Sequence, residues 1–200
     1  MILLVDNFDS FTFNLVQTFQ TQGCNPRVYR NNEPEILDLA TNPDLQGVIL
    51  SPGPSHPVNA GLCTELLKRL PANIPVLGVC LGHQILGHFA GARVGKAQRI
   101  MHGKTSTIEH TNTGLFTGLP QHMVIGRYHS LAVFEDGKDL PFTVTARSND
   151  GTIQGLAYTD RPWMGVQFHP ESVLTPDGPK LLHNFVSMCQ GQTDETKHVA

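Results

Sequence analysis

The sequence predicts an α/β protein with three layers, in which helices cover both faces of a mostly parallel central sheet. Two observations carry this prediction. In the first half of the chain, short apolar runs alternate with amphipathic stretches, which is typical of βαβ units with right-handed crossovers. In the second half, residues 93–168 contain short β-like runs with no convincing helix between them. These runs indicate extra antiparallel strands, either in the same sheet or in a small second one.

Four segments in the first half are predicted strands, the first of them because it is continuously apolar rather than alternating, as a buried strand of a parallel sheet is. They cover residues 2–5, 27–29, 47–50 and 74–79. Amphipathic periodicity predicts helices over residues 11–22, 33–40, 61–70 and 81–90. Ser10 is a candidate N-cap for the first of these helices, and Gly23 is expected to end it.

The second half is predicted to complete one domain that spans residues 1–190. Its predicted strands cover residues 105–108, 124–128, 142–146, 153–158 and 164–168, and a last helix covers residues 179–190. The polar residues 191–200 are expected to be a frayed tail. No repeat or linker divides the chain.

Composition excludes several functional classes. Charged residues make up 16 % of the chain, below the usual quarter, which indicates a large core rather than disorder. A net charge of -3 gives no electrostatic footprint for nucleic acid or an anionic membrane. The apolar N-terminal run stops at Asp6, so it is predicted to be neither a signal peptide nor a membrane helix. The four cysteines have no CxxC spacing, which predicts no disulfide framework, no metal site and a reducing, cytoplasmic setting.

Cys80 is the strongest candidate for a nucleophile. It lies in Gly78–Gln84, where an apolar strand ends and a helix begins, and Gly78 and Gly82 provide the small neighbours that a crowded, strained elbow needs. The unsatisfied N–H groups at the start of the following helix favour thiolate over thiol. The N–H of Leu81 is expected to point at a developing oxyanion.

His169 is the candidate base. It follows the apolar run 164–168, and Glu171 stands two residues later. Pro170 favours extended geometry at His169, and residues two apart in an extended segment share a side. Glu171 is therefore expected to orient the imidazole, which gives a Cys-His-Glu triad at the carboxyl ends of the strands.

The loop Ser51–Ser55 is expected to supply a second oxyanion donor. Gly53 stands between two prolines after a buried strand, so it can present its N–H with no side chain in the way.

These three segments (PGPS, GVCLGHQ and FHPE, in this order) resemble the class I (triad) glutamine amidotransferases. Residues 6–12, 101–104 and 127–131 are similar to the chorismate-using branch of that family, the small subunits of anthranilate synthase and aminodeoxychorismate synthase. The resemblance spans about residues 1–190 and implies a flavodoxin-like sheet. The sequence departs from many members at Ser55 and Ala92, where those members have Gly.

The resemblance implies a reaction and its residues. Cys80 would attack the side-chain amide of glutamine, His169 would transfer the proton, and Glu171 would orient His169. Ammonia would pass to a larger, chorismate-binding synthase subunit, and no cofactor is implied. The glutamine pocket implied by the motifs comprises Gly53, Pro54, Ser55, Gln84, Ser130 and Leu131.

Two alternatives remain at the level of the sequence. The elbow alone would also suit a cysteine-dependent hydrolase of esters or peptides. Asp6 and Asp9, which follow the first strand, are compatible with a non-catalytic flavodoxin-like binding module, although Ser51–Gly53 stands where a receiver domain needs an aspartate.

Overall fold

The computed structural model describes residues 1–191, which form five α-helices and eleven strands. The helices are α1 (Thr12–Thr21), α2 (Glu35–Leu39), α3 (Cys63–Arg69), α4 (Leu81–Phe89) and α5 (Gly178–Cys189). The strands are β1 (Ile2–Asp6), β2 (Arg27–Arg30), β3 (Gly47–Leu50), β4 (Val76–Val79), β5 (Arg93–Lys96), β6 (Lys104–His110), β7 (Val124–Arg127), β8 (Leu131–Phe134), β9 (Phe142–Ser148), β10 (Ile153–Tyr158) and β11 (Trp163–Val166). Apart from Gly191, the predicted tail lies outside the described residues. Among residues 1–191, no helix has the length and apolarity needed to cross a membrane.

Nine strands form one sheet in the order β2-β1-β3-β4-β11-β10-β9-β6-β7. The strands from β2 to β11 in this order pair in parallel, and the remaining four add antiparallel strands at one edge. The predicted, mostly parallel sheet is therefore confirmed. β11 differs from the expectation for the second half, because it pairs in parallel with β4, with Val166 opposite Val79. That pairing brings the carboxyl ends of β4 and β11 side by side.

Helices lie on both faces of the sheet, as predicted. In β1, Leu4 packs into the core beneath α1 and α5, whereas Leu3 and Val5 pack into the core beneath α2, α3 and α4. Ile2 through Val5 are all buried, because both faces of this strand are covered. This explains why β1 is apolar without alternation.

The structure corrects some local predictions. β5 and β8 were not predicted, and they pair with each other in a separate two-stranded antiparallel sheet. Ser10 does not cap α1; the N-cap is Phe11, and the Asp9 side chain accepts a hydrogen bond from the Phe11 N–H at 2.7 Å. The helix predicted from residue 61 begins two residues later, because Gly61 has a φ of +55°.

Candidate active site

Cys80 lies in a strained turn between β4 and α4. Its φ of +52° and ψ of −100° are unusual for any residue other than glycine. The turn is held by two backbone hydrogen bonds, from the Cys80 N–H to the Val166 carbonyl (2.9 Å) and from the Gln84 N–H to the Cys80 carbonyl (3.1 Å). Such conformations persist only where the surrounding structure imposes them, and they concentrate at functional sites.

The two flanking glycines allow this turn to form. A Cβ on Gly78 would lie 2.5 Å from the Gly82 carbonyl oxygen, and one on Gly82 would lie 2.1 Å from the carbonyl oxygen of Leu50. Both distances are far inside van der Waals contact, so neither position has room for a methyl group. The backbones of β3, β4 and α4 therefore meet directly around Cys80, as the sequence pattern predicted.

His169 and Glu171 form a buried pair just beyond β11. Nδ1 of His169 lies 2.6 Å from Oε1 of Glu171, and their side chains are 4 % and 0 % exposed. The His169 backbone is held on both sides, since its N–H donates to the Gly126 carbonyl and its carbonyl accepts from the Thr175 hydroxyl. The predicted contact is present, but it forms in a turn after β11 rather than along an extended strand.

Cys80 and Glu171 together favour the protonated form of His169. Burial disfavours the imidazolium, but the negative charges of the Cys80 thiolate and of Glu171 outweigh it and raise the pKa of His169 well above its ordinary value. Because Nδ1 donates to Glu171, Nε2 is the nitrogen left for proton transfer. Within the described chain, this buried Nε2 has no hydrogen bond of ordinary geometry, although Cys80 is near enough to raise the pKa.

The two residues predicted to supply oxyanion donors are neighbours. A Cβ on Gly53 would lie 2.7 Å from Cδ2 of Leu81 and 2.7 Å from the Asn7 carbonyl oxygen. Asn7 is itself fixed, because its N–H and side-chain amide donate to the hydroxyl and carbonyl of Ser51. The loop after β3 therefore packs against the first residue of α4, beside Cys80.

The rest of the Gly53–Ser55 loop is exposed. Pro54 and Ser55 lie at the surface, and Ser55 has a φ of +78°, in the region that favours glycine. Its hydroxyl accepts a hydrogen bond from the Asn59 side chain at 3.2 Å. The departure from glycine at this position therefore places a strained residue at the rim of the site.

A chain of amide groups runs from α4 to the nucleophile. Nε2 of Gln84 donates to the Leu131 carbonyl (3.2 Å) and to Oε1 of Gln167 (3.1 Å), and Nε2 of Gln167 lies 3.7 Å from Sγ of Cys80. Gln84 and Leu131 are thus brought together as predicted. Ser130 is exposed next to Leu131, and its carbonyl accepts from the Ala97 N–H.

Sequence reasoning missed Gln167. It is fully buried and directly follows β11, as Cys80 directly follows β4. A polar residue between the apolar Val166 and Phe168 was the available signal. It could be read only once the parallel pairing of β4 with β11 was known.

Aromatic side chains cover the imidazole. The rings of Phe11 and Tyr128 lie 5.8 Å and 5.1 Å from that of His169, each edge to face. His102 packs in turn on Tyr128 at 6.2 Å. In residues 1–191, no three His, Cys, Asp or Glu side chains are grouped as a metal site requires.

Comparison with known proteins gives the same family throughout. The sequence model of the family "Glutamine amidotransferase class-I" matches residues 3–189. The aminodeoxychorismate/anthranilate synthase component 2 of Bacillus subtilis (strain 168) is 44 % identical over 187 residues, which cover 93 % of this chain and 95 % of that protein. The bifunctional protein TrpGD of Thermotoga maritima is 41 % identical over 190 residues, which cover 94 % of this chain but only 32 % of that longer protein.

A solved structure agrees with this result. A putative GMP synthase subunit from Thermoplasma acidophilum superposes with a TM-score of 0.84 at 26 % identity, over 95 % of this chain and 94 % of that one. The sequence match covers nearly the whole chain, and the similarity in fold is equally extensive. The chain therefore belongs to the class I glutamine amidotransferases.

Proposed function

We propose that this protein hydrolyses L-glutamine on Cys80 and supplies the ammonia to a larger, chorismate-binding synthase subunit, as component 2 of an anthranilate synthase, an aminodeoxychorismate synthase or both. Within this proposal, residues 1–190 act as one amidotransferase domain. The observation that carries it is the strained Cys80 elbow beside a buried His169–Glu171 pair, in which the imidazole Nε2 has no hydrogen bond to any other part of residues 1–191.

The proposed reaction has two halves. The Cys80 thiolate attacks the side-chain amide carbon, and the N–H groups of Gly53 and Leu81 stabilise the oxyanion. The C–N bond then breaks as His169 gives its proton to the leaving nitrogen, which releases ammonia and leaves a γ-glutamyl thioester. In the second half, His169 takes a proton from water as the water attacks the thioester. The C–S bond breaks, glutamate leaves and the Cys80 thiolate is restored.

The amide chain suits the α-amino-acid end of glutamine. Both N–H groups of the Gln84 side chain are used within the protein, so its Oε1 is left to accept from the substrate ammonium group. Ser130 and Leu131 lie beside it and would offer main-chain groups to the substrate carboxylate. The Gly53–Ser55 loop would close the opposite side of the pocket.

Exposed apolar side chains support the docking of a synthase subunit near the site. Phe11, which packs on His169, is 37 % exposed, and Phe8 and Phe13 of the same segment are 49 % and 69 % exposed. Val173, two residues beyond Glu171, is 92 % exposed, and Ile100 is 73 % exposed. Large apolar side chains left in water in this way favour a protein partner.

The proposed setting is the reducing cytoplasm. The mechanism needs Cys80 as a free thiol, and all four cysteines are unpaired in the described chain. Reducing compartments maintain thiols in this state.

The test is a comparison of two nitrogen sources. The chain is mixed in turn with a large subunit that makes anthranilate and with one that makes aminodeoxychorismate. In the Cys80→Ala variant, glutamine-dependent synthesis should disappear while synthesis from ammonium salts remains, because only the source of ammonia is lost. Cys24→Ala, a cysteine far from the site in the sequence, is the matched control and should behave like the wild type.

Two outcomes would contradict the proposal. One is a Cys80→Ala variant that still hydrolyses glutamine. The other is a wild-type chain that turns over activated esters but is not labelled at Cys80 by a glutamine-like chloroketone, which would favour the hydrolase alternative instead.

A further inference from the structure

Arg127, at the end of β7, is a fully buried cation four residues before Leu131. Its guanidinium donates to Asp150 at 2.8 Å, in an ion pair whose side chains are 0 % and 13 % exposed. It also donates to the hydroxyls of Ser106 and Thr152. A buried guanidinium is tolerated when its donors find acceptors, so the atom that accepts the Nε–H of Arg127 is constrained as well.

That acceptor is His129, and the contact fixes its tautomer. Nε of Arg127 always carries a hydrogen, and it lies 3.1 Å from Nε2 of His129. Nε2 must therefore be unprotonated, and the ring proton must lie on Nδ1. Nδ1 is 2.9 Å from the Leu131 carbonyl oxygen, so it donates to that oxygen. Burial and the neighbouring Arg127 charge lower the pKa of His129 to about 4, which keeps the ring neutral at pH 7.

The Leu131 carbonyl consequently has two donors, Nδ1 of His129 and Nε2 of Gln84. An acceptor with both lone pairs engaged is unavailable to substrate. Opposite residues of antiparallel strands alternate between hydrogen-bonded and non-hydrogen-bonded pairs. Just beyond β5 and β8, the Ala97 N–H donates to the Ser130 carbonyl, so the next pair, Lys96 with Leu131, is a non-hydrogen-bonded one. The Leu131 N–H therefore faces away from β5, on the same side as its occupied carbonyl.

We propose that Arg127 and His129 are positioning residues that fix the Leu131 peptide and the Gln84 side chain for the α-amino-acid end of glutamine. The relay runs from the Asp150 carboxylate through Arg127 and His129 to Leu131, and it touches neither Cys80 nor His169. Cys80 is reached only through Gln84 and Gln167, a contact that His129 does not make, so the relay governs how tightly the substrate end is held rather than the reactivity of the thiol. This inference rests on the proposed function, since it assigns the residues that support the same glutamine pocket.

Two neutral amide substitutions separate the two contacts of the imidazole. His129→Asn places an amide N–H where Nδ1 lies, so it can still donate to Leu131. His129→Gln reaches the position of Nε2 and can accept from Arg127, but it loses the donor to Leu131. The probe is a glutamine-like chloroketone, which carries the α-amino-acid end of glutamine, and its inactivation of the full-length chain is followed as a function of concentration.

The half-saturating chloroketone concentration should rise about tenfold in His129→Gln, the effect of one lost hydrogen bond, and stay within about twofold in His129→Asn. The limiting inactivation rate, and alkylation of Cys80 by iodoacetamide, should be unchanged in both. Asn184→Ala, which removes hydrogen bonds to the Leu115 and Thr117 carbonyls, controls for lost stability and should leave the half-saturating concentration unchanged.

Equal rises in both His129 variants, or no rise in either, would overturn the inference. If His129→Gln does not fold, His129→Asn still decides, because a rise above about fivefold in a variant that keeps the donor contradicts the relay. A wild-type chain that does not react with the chloroketone at Cys80 would instead refute the proposed function.

Discussion

Cys80 occupies a backbone conformation whose cost, of order 1–3 kcal/mol, must be met by its surroundings. The hydrogen bonds to Val166 and from Gln84, and the absence of side chains at Gly78 and Gly82, hold the residue there. None of these contacts involves the thiol. Replacing the sulfur should therefore remove the chemistry and leave the turn intact, which is why Cys80→Ala is an informative variant.

Glu171→Gln tests the role of the carboxylate at the same scale. An amide keeps the size of the side chain but removes the charge that favours the imidazolium, so the pKa of His169 should fall. The amide can also turn its N–H group toward Nδ1 of His169, which would place the ring proton on Nε2. Glutamine hydrolysis should drop by at least about a hundredfold, measured as kcat for the protein with its synthase subunit.

Glu109→Gln, a substitution of the same type at an exposed position in β6, is the control and should retain full activity. A Glu171→Gln variant with wild-type kcat would mean that the 2.6 Å contact with His169 is structural only.

The triad residues could be predicted because each has a local signal. Cys80 has two glycines at an elbow, and His169 has a carboxylate two residues away. Gln167 and His129 have no comparable signal, because their importance comes from the residues they meet in space, Cys80 for the first and Arg127 for the second. The protonation of a histidine such as His129 depends on which nitrogen meets a fixed donor, and only three-dimensional structure shows that.

At the scale of elements, α4 positions the site because it packs closely on β8. A Cβ on Gly87 would lie 2.7 Å from Cγ2 of Val133, and Gln84, which contacts Leu131 of β8, is one helical turn earlier. The separation of these two elements therefore sets the 3.2 Å contact between Gln84 and Leu131.

Gly87→Ala should move α4 away from β8. The overpacking should cost about 1–3 kcal/mol of stability. The glutamine KM should rise more than kcat falls, because Gly87 is one helical turn from Gln84 but about two turns from Cys80 at the start of α4, so the contact between Gln84 and Leu131 lengthens most. Urea unfolding and steady-state kinetics measure the two effects. In the control Gly95→Ala, the added methyl meets mainly the flexible end of Arg93, and KM should not change. A larger effect on kcat than on KM would show that Gly87 acts on the nucleophile instead.

Most elements with strong patterns were predicted, but β8, whose sequence is the apolar run LAVF, was missed. β3 and β4 are fully buried runs, and β3 was predicted with its observed bounds. β5 has the sequence RVGK, with a single apolar residue and no fully buried position, so it resembles a loop. It is a strand only because its partner β8 lies nearly forty residues away. Ser10 was a plausible cap by residue type, but Asp9 reaches the Phe11 N–H instead.

At the scale of the whole molecule, burying two neutral histidines makes folding sensitive to pH. His83, on the inner face of α4, is fully buried, and within residues 1–191 neither ring nitrogen has a hydrogen bond of ordinary geometry. Burial lowers its pKa to about 3, and burial with the Arg127 charge lowers that of His129 to about 4. In the unfolded chain, both should titrate near 6.5.

Stability should therefore fall on acidification from pH 6 to pH 5. The unfolded state binds protons there that the folded state excludes, so a depressed pKa contributes stability that is present above 6.5 and lost as the pH falls. Each residue should contribute about 1.4 kcal/mol per pH unit. The contribution of His169 to this pH dependence has the opposite sign, because a raised pKa contributes stability that is lost as the pH rises. Below pH 6, His169 is mostly protonated in both the folded and the unfolded protein. Urea unfolding of the wild type and of His83→Met at both pH values measures the slope, which should be shallower in the variant. An identical slope would mean that His83 is protonated in the folded protein.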